Sequence, residues 1–333
     1  MNNQNDNESL EEFSEPAIKH PSPDELLDVA IIGAGIAGAS AAIHSGRYMM
    51  KTAIFAALRG GAIIDSTMVE NYPGFIRISG YDLMQRVLKQ ASYYGALIID
   101  AEIKSIEKQE EFFLLKSASD EEFRARQIII ATGTHRRRLG LPKEEKFFGR
   151  GISHCATCDA FFYKDKVVAV VGGSNTAAFS AMLLSKYASK VYLIYRRDKL
   201  RCEPYWRKLL EEDEKVEIVY NANVVELIGE QMLQGVRLDN GNTINIDGLF
   251  VEIGSEPSSD LAKSIGVETD ESGYIIVDEA MRTNIPGVYS AGDVNTGSAG
   301  LKQLIVGASE GAIAASSAYD FHQRNKKNNQ KEA

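Results

Sequence analysis

Cysteine is scarce: the 333 residues contain three, Cys155, Cys158 and Cys202. Three thiols cannot build a disulfide framework or close a four-cysteine zinc site. With 44% of its residues hydrophobic, a chain of this length can bury the cores of two ordinary domains without either device. The count suits a reducing compartment and one working dithiol. Long apolar runs are missing too. None reaches the roughly 18 residues that a membrane-spanning helix needs, and Met1 to Pro23 has neither the basic start nor the apolar stretch of a signal peptide. A soluble, cytoplasmic protein with no membrane partner is expected. Positive charge is in deficit, with 37 Lys and Arg against 46 Asp and Glu, which argues against nucleic acid as the principal ligand. Apolar periodicity is absent at both ends, so residues 1–24 and 323–333 are expected to be disordered polar tails.

What is present is a repeat. An apolar run, a glycine turn, a small-residue helix and a second apolar run occur twice, about 140 residues apart. The first copy has a strand from Leu26 to Ile32, the turn Gly33-Ala34-Gly35, a helix to about Gly46 and a strand from Thr52 to Phe55. The second has a strand from Lys166 to Val171, the turn Gly172-Gly173-Ser174, a helix to about Tyr187 and a strand from Val191 to Tyr195. Two β-α-β units predict an α/β protein with two Rossmann-like nucleotide-binding domains. The segment from Thr283 to Tyr319 resembles no third unit and is placed back on the first domain.

Gly33, Gly35 and Gly38 stand at G-x-G-x-x-G spacing between a strand and a helix, the context in which that spacing has meaning. The first glycine permits a tight turn, the second lets backbone amides approach a pyrophosphate, and the third lets helix and strand pack closely. The following strand ends at Phe55-Ala56-Ala57, without the carboxylate that commonly holds an adenosine ribose. Gly133 and Gly292 close two further strands, and Asp293 after the latter can accept from ligand hydroxyls. Strand terminators are the alternative reading; together these residues converge on one dinucleotide.

Cys155 and Cys158, in His154-Cys-Ala-Thr-Cys-Asp159, lie between the two glycine turns. Two cysteines at this spacing can close a small disulfide, and the partner thiol and a helix N-terminus lower the attacking thiol's pKa, which is the chemistry of dithiol exchange. Asp159 can shuttle the accompanying proton. Half a zinc site, two inert cysteines and a solvated Asp159 are the alternatives. Arg196, Arg197 and Arg201 follow the second strand of the second unit, where an NAD site presents an acid, and favour a 2′-phosphate; they are otherwise solvated. Cys202 reads as a filler of a small slot. The run His135-Arg136-Arg137-Arg138 is a solvated hinge or a patch for an acidic partner.

These residues, in this order, resemble the low-molecular-weight thioredoxin reductases over roughly Asp28 to Phe321. The resemblance rests on Gly33-Ala-Gly-Ile-Ala-Gly38, Glu70-Asn-Tyr-Pro-Gly-Phe75, Ala131-Thr-Gly133, Cys155-Ala-Thr-Cys-Asp159, Arg196-Arg197 and Gly292-Asp-Val294. It implies an FAD domain formed by residues 25–135 and 255–322, with an NADPH domain, residues 136–254, inserted in it and carrying the redox pair. Cys158 then faces the flavin, Cys155 attacks the protein substrate and Asp159 donates a proton. Gly61, Asn71, Asp293, Lys302 and Gln303 become FAD contacts, and Gly172, Ser174 and Ala177 join the arginines as NADPH contacts. The chain departs from the family pattern at Ala62, at Lys302 (usually arginine), at Ser174 (usually glycine), and at Phe179 and Ser180 (usually acids). The resemblance implies electron transfer from NADPH through FAD to thioredoxin or a similar small dithiol protein, in a homodimer. A ferredoxin-fed enzyme, a thiol oxidase and a flavin-binding redox sensor remain as alternatives.

Overall fold

A computed structural model describes residues 25–66, 69–298 and 301–332; the expected tail at 1–24 lies outside them. The chain divides into two compact units, crossing between Thr134 and His135 and back between Glu256 and Pro257, so the second unit is inserted in the first. Two short strands, Thr134–Arg136 and Ser255–Pro257, pair at these crossings. Among the described residues, five helices exceed two turns: Ile36–Arg47 (α1), Gly80–Tyr93 (α2), Asn175–Ser185 (α3), Pro204–Glu212 (α4) and Leu304–Glu332 (α5).

In unit 1 the strand Val29–Ile32 lies between Ile128–Ile130 and Thr52–Phe55, with Val288–Ser290 and Leu97–Ile99 outside them, all parallel. Residues 29–32 are apolar without alternation because both faces of such a sheet are covered, and all four are buried. The return of Val288–Ser290 to this sheet puts the C-terminal segment in unit 1. The expected strand from Leu26 to Ile32 is two strands. Asp28 breaks it, because its amide donates to Lys51 O at 2.9 Å and its carboxylate accepts from Lys51 N at 2.9 Å. Leu26–Leu27 therefore joins a separate four-stranded sheet beside Glu122–Ala125.

Small residues let α1 and α5 touch. Ser40 Oγ donates to Ala308 O at 2.6 Å, and a Cβ on Gly311 would lie 2.1 Å from Ala37 O. The helix α5 runs to Glu332, where a disordered tail was expected at 323–333. Its packed portion supplies the nucleus from which the helix continues, since adding a residue to an existing helix is far easier than starting one.

Unit 2 repeats the plan. Five parallel strands run in the order Ile152–Ser153, Gly248–Val251, Val167–Val171, Lys190–Tyr195, Val216–Tyr220, with a three-stranded antiparallel sheet, Val224–Gly229, Leu233–Leu238 and Thr243–Asn245, packed through a shared core. The fold class is α/β, with two Rossmann-like units.

Gly311→Ala separates two effects of opposite sign. Helix propensity alone favours alanine by about 0.5–1 kcal/mol, but overpacking against Ala37 O opposes it by about 1–3 kcal/mol. Net destabilisation of unit 1 is expected, read as lower hydrogen-exchange protection of α1 amides; a gain in protection contradicts the packing argument.

Candidate functional site

The first glycine turn is a place where only backbone fits. Gly33 has φ 111°, and a Cβ there would meet Ala131 O at 2.2 Å; one on Gly38 would meet Gly33 O at 1.9 Å. Gly35 caps α1 in extended conformation with no side-chain hydrogen bond, and the first turn of α1 holds no acid. Its amides are left to a ligand, at a helix end carrying partial positive charge. Gly60 N donates to Ala34 O at 3.0 Å, and a Cβ on Gly61 would approach Gly35 Cα to 3.0 Å. Gly292, with φ 84°, packs on Ala37, where its Cβ would meet the alanine's at 2.9 Å. Gly33, Gly35, Gly38, Gly61 and Gly292 thus surround one uncapped helix end, and this cradle fits a pyrophosphate.

Other predicted residues of unit 1 form smaller groups. Asn71 Nδ2 donates to Gln303 Oε1 at 2.8 Å, joining positions 232 residues apart. Asp293 is half-buried and accepts no hydrogen bond among the described residues; burial pushes its carboxyl up, the Lys302 cation opposes this, and Glu310 adds to it. Lys302 donates to Asn295 O at 2.7 Å, stands over the Tyr274 ring and is pushed down by burial. Gly133 is bonded elsewhere, through its carbonyl to Ser258 N at 3.0 Å. Sequence reasoning missed Glu310, which accepts from Gly292 N at 2.7 Å. Its one signal is a lone acid in the small and apolar stretch Leu304 to Tyr319.

At the second turn, Ser174 caps α3 in extended conformation, its hydroxyl makes no cap bond, and the first turn again lacks an acid. A Cβ on Gly172, φ 150°, would meet Glu252 O at 2.3 Å and Ala177 Cβ at 2.9 Å, so Gly172, Ser174 and Ala177 sit together. Arg201 N donates to Gly173 O at 2.8 Å, which ties the arginine loop to this turn. Arg196, Arg197 and Arg201 are exposed, and their guanidinium groups have no partner among the described residues. The run 135–138 behaves differently. His135 and Arg137 face Glu256 at 3.5 Å, Arg136 faces Glu252 at 3.5 Å and Arg138 pairs with Glu145. These charges are answered within the unit, whereas the three loop arginines are not.

Phe179 packs edge-on against Trp206, and Ser180 Oγ donates to Glu252 Oε1 at 2.9 Å. A carboxylate therefore does stand at this helix, supplied by Glu252 from the end of the strand Gly248–Val251. Glu252 is 8% exposed; burial pushes its carboxyl up, with Arg136 and the Ser180 bond pulling the other way.

Cys155 and Cys158 are joined in a disulfide, with Cα atoms 5.3 Å apart. Cys155 precedes the helical turn Ala156–Asp159, and its Sγ accepts from Cys158 N at 3.2 Å and lies 3.2 Å from Thr157 Oγ1; its own amide donates to Ser153 Oγ at 3.0 Å. In the reduced pair, an amide hydrogen bond of this kind favours the Cys155 thiolate. Cys158 is exposed, and Cys155 and Asp159 are half-buried. Cys202 is buried and free, its thiol pushed up by burial, which keeps it unreactive. Among the described residues there is no cluster of His, Cys, Asp or Glu able to hold a metal, and no helix long and apolar enough to cross a membrane.

A closed C-x-x-C pair in a chain with two uncapped glycine turns defines a class: residues 27–314 match the pyridine nucleotide-disulphide oxidoreductase family, and the chain belongs to it. Within that class its similarity is to thioredoxin reductases. It is 39% identical to the thioredoxin reductase of Listeria innocua over 90% of this chain and 95% of that one. The solved thioredoxin reductase of Lactococcus lactis matches with a TM-score of 0.83 and 33% identity, over 89% of this chain and 98% of that one. That of T. acidophilum matches with a TM-score of 0.81 and 36% identity, over 89% and 98%.

Glu252 makes unit 2 pH-sensitive in a defined direction. The folded state holds its proton more tightly than the unfolded chain, whose carboxyl has the ordinary value of 4.5. Its contribution to stability is full below that value and is lost as pH rises through the raised one. Trp206, the single tryptophan, lies in unit 2 and reports its unfolding. Glu252→Gln is expected to flatten this part of the pH profile, and Glu252→Ala to lower stability by about 1–2 kcal/mol by leaving Ser180 unbonded. An unchanged profile in Glu252→Gln contradicts the assignment.

Proposed function

We propose that this chain is a flavin-dependent thioredoxin-disulfide reductase that takes electrons from NADPH, through FAD, to the Cys155/Cys158 pair and on to thioredoxin or a similar small dithiol protein. The observation that carries the reading is the closed Cys155–Cys158 disulfide in the unit whose second glycine turn stands beside three unpaired arginines. Relatives named thioredoxin reductase, covering nine-tenths of the chain, support it. On this reading the cradle of Gly33, Gly35, Gly38, Gly61 and Gly292 holds the FAD pyrophosphate. Asp293 accepts from ribityl hydroxyls, and Gly133, Lys302 and the Asn71/Gln303 pair supply further contacts. Gly172, Ser174 and Ala177 receive the NADPH pyrophosphate at the uncapped end of α3, and Arg196, Arg197 and Arg201 receive its 2′-phosphate through charge-assisted bonds. Homodimer formation and a cytoplasmic location complete the proposal. The half-exposed Ile305 and Ile313, eight residues apart on α5, give a dimer an apolar stripe to cover.

Bound FAD supplies the conversion of a nicotinamide hydride into an electron pair for the disulfide. Those two electrons, with one proton, open Cys155–Cys158 to one thiolate and one thiol. The Cys155 thiolate, favoured by the Cys158 amide, attacks one sulfur of the partner's disulfide and displaces the other as a thiolate. Cys158, deprotonated, then attacks Cys155 Sγ, restores the intramolecular bond and releases as a thiolate the partner sulfur that Cys155 had bound. Asp159, one residue beyond Cys158, exchanges the proton that a leaving thiolate requires.

Two variants test the scheme. Cys158→Ser is expected to bind FAD and to accept hydride from NADPH in stopped flow while losing thioredoxin reduction; appreciable reduction by this variant refutes the assigned roles. Arg196→Ala with Arg197→Ala removes bonds worth about 1.5–3 kcal/mol each to the phosphate, eroding the preference for NADPH while leaving NADH use nearly unchanged. A wild-type flavin inert to both nucleotides but reduced by ferredoxin replaces the NADPH assignment with a ferredoxin-fed one.

A further inference from the structure

Residues 292–298 form a loop wound around a single buried carboxylate. Glu310, on α5, is 2% exposed. Its Oε2 accepts from Gly292 N at 2.7 Å and Asn295 Nδ2 at 3.0 Å, and its Oε1 from Ser298 Oγ at 2.8 Å. A carboxylate at this depth is tolerated only when it is hydrogen-bonded, and these three donors engage both of its oxygens.

Features of the loop that look unrelated have this carboxylate as their common cause. A Cβ on Gly297 would lie 2.7 Å from Glu310 Oε1 and 2.8 Å from Asn295 Oδ1, so a side chain there would have to displace both hydrogen-bonded groups. Ser298 has φ 52°, a left-handed conformation that a non-glycine residue holds only when its surroundings over-determine it; its hydroxyl bond to Glu310 is one such restraint. Asn295, fully buried, donates its Nδ2 to Glu310, accepts Gly297 N on Oδ1 at 2.7 Å and presents its carbonyl to Lys302 Nζ at 2.7 Å. The helix brings Glu310 to this point because Gly307 and Gly311 on either side of it let α5 close on α1, where a Cβ on Gly307 would meet Ile36 Cγ2 at 3.2 Å.

Glu310 thereby reaches, each through one intermediary, two groups that the flavin reading uses, Asp293 in the loop and Lys302 beyond it. It holds the amide of Gly292, the residue before Asp293, and through Asn295 it sets the carbonyl that fixes Lys302. We infer that Glu310 is a positioning residue of the flavin site, acting through Gly292 and Asn295 to place the Asp293 carboxylate and the Lys302 cation for FAD. The inference rests on the flavin reading of unit 1.

The test compares wild type with Glu310→Gln and Glu310→Ala. Each is stripped of flavin, checked for folding by far-UV circular dichroism, and titrated with FAD, with the visible spectrum of the bound flavin recorded. Glu310→Gln keeps the side-chain volume and one acceptor but turns an amide N–H toward a donor, so a loss of FAD affinity of about tenfold and an altered flavin spectrum are expected in a folded apoprotein. A role confined to folding predicts instead a less stable apoprotein whose folded fraction binds FAD with wild-type affinity and spectrum, and that result overturns the inference. If Glu310→Ala does not fold, Glu310→Gln decides. A wild-type protein that takes up no FAD overturns the flavin reading and this role with it, an outcome distinct from wild type and variants binding alike.

Discussion

A Cβ on Gly33 would stand 2.2 Å from the carbonyl oxygen of Ala131, and the lack of that atom sets much of unit 1. Because the two backbones can meet, the strands Val29–Ile32 and Ile128–Ile130 end side by side at the mouth of the sheet, and α1 starts immediately beyond them. Gly35, two residues beyond Gly33, has no side chain with which to cap the amides of α1. A helix end without a side-chain cap or a first-turn acid is unfavourable in isolation and favourable beside an anion. The glycine turn therefore joins folding to ligand chemistry: it orders the strands and leaves the pyrophosphate-sized cradle open.

Unit 2 reuses the device with one difference that bears on its ligand. Its turn has a serine where the first has its second glycine, and its helix end stands beside a loop with three unanswered guanidinium groups. The neighbouring basic run, equally conspicuous by composition, is balanced by Glu145, Glu252 and Glu256. Unpaired charge at a strand exit retains its attraction for phosphate, whereas paired charge has already lost most of it.

The first and last helices are bound as closely as the sheet. The approach of α5 to α1 depends on glycine and alanine at the crossing, and it carries Glu310 to the loop that follows Val288–Ser290. Residues of α5 thus pack against the helix that follows the first glycine turn, which accounts for a C-terminal segment of unit 1 following an inserted unit.

Much of this was legible in the residues themselves. The strand-turn-helix units follow from apolar runs and glycine spacing, because burial on two faces and tight turning are local demands that each segment meets with its own residues. The Cys155–Cys158 bond is similarly local, spanning three positions in one helical turn. Other features were not. The break at Asp28, the Asn71–Gln303 pairing, and the roles of Glu252 and Glu310 depend on partners distant in the chain: Lys51 for Asp28, Gln303 at 232 residues from Asn71, Ser180 at 72 from Glu252, Gly292 at 18 from Glu310. Sequence by itself determined the two strand-turn-helix-strand units, where their backbone turns and which two sulfurs pair, since those follow from periodicity and short-range geometry. Only the tertiary structure decided which charges are answered and which are left for a ligand, because a carboxylate or guanidinium reads the same in sequence whether its counter-charge lies beside it in the fold or nowhere near.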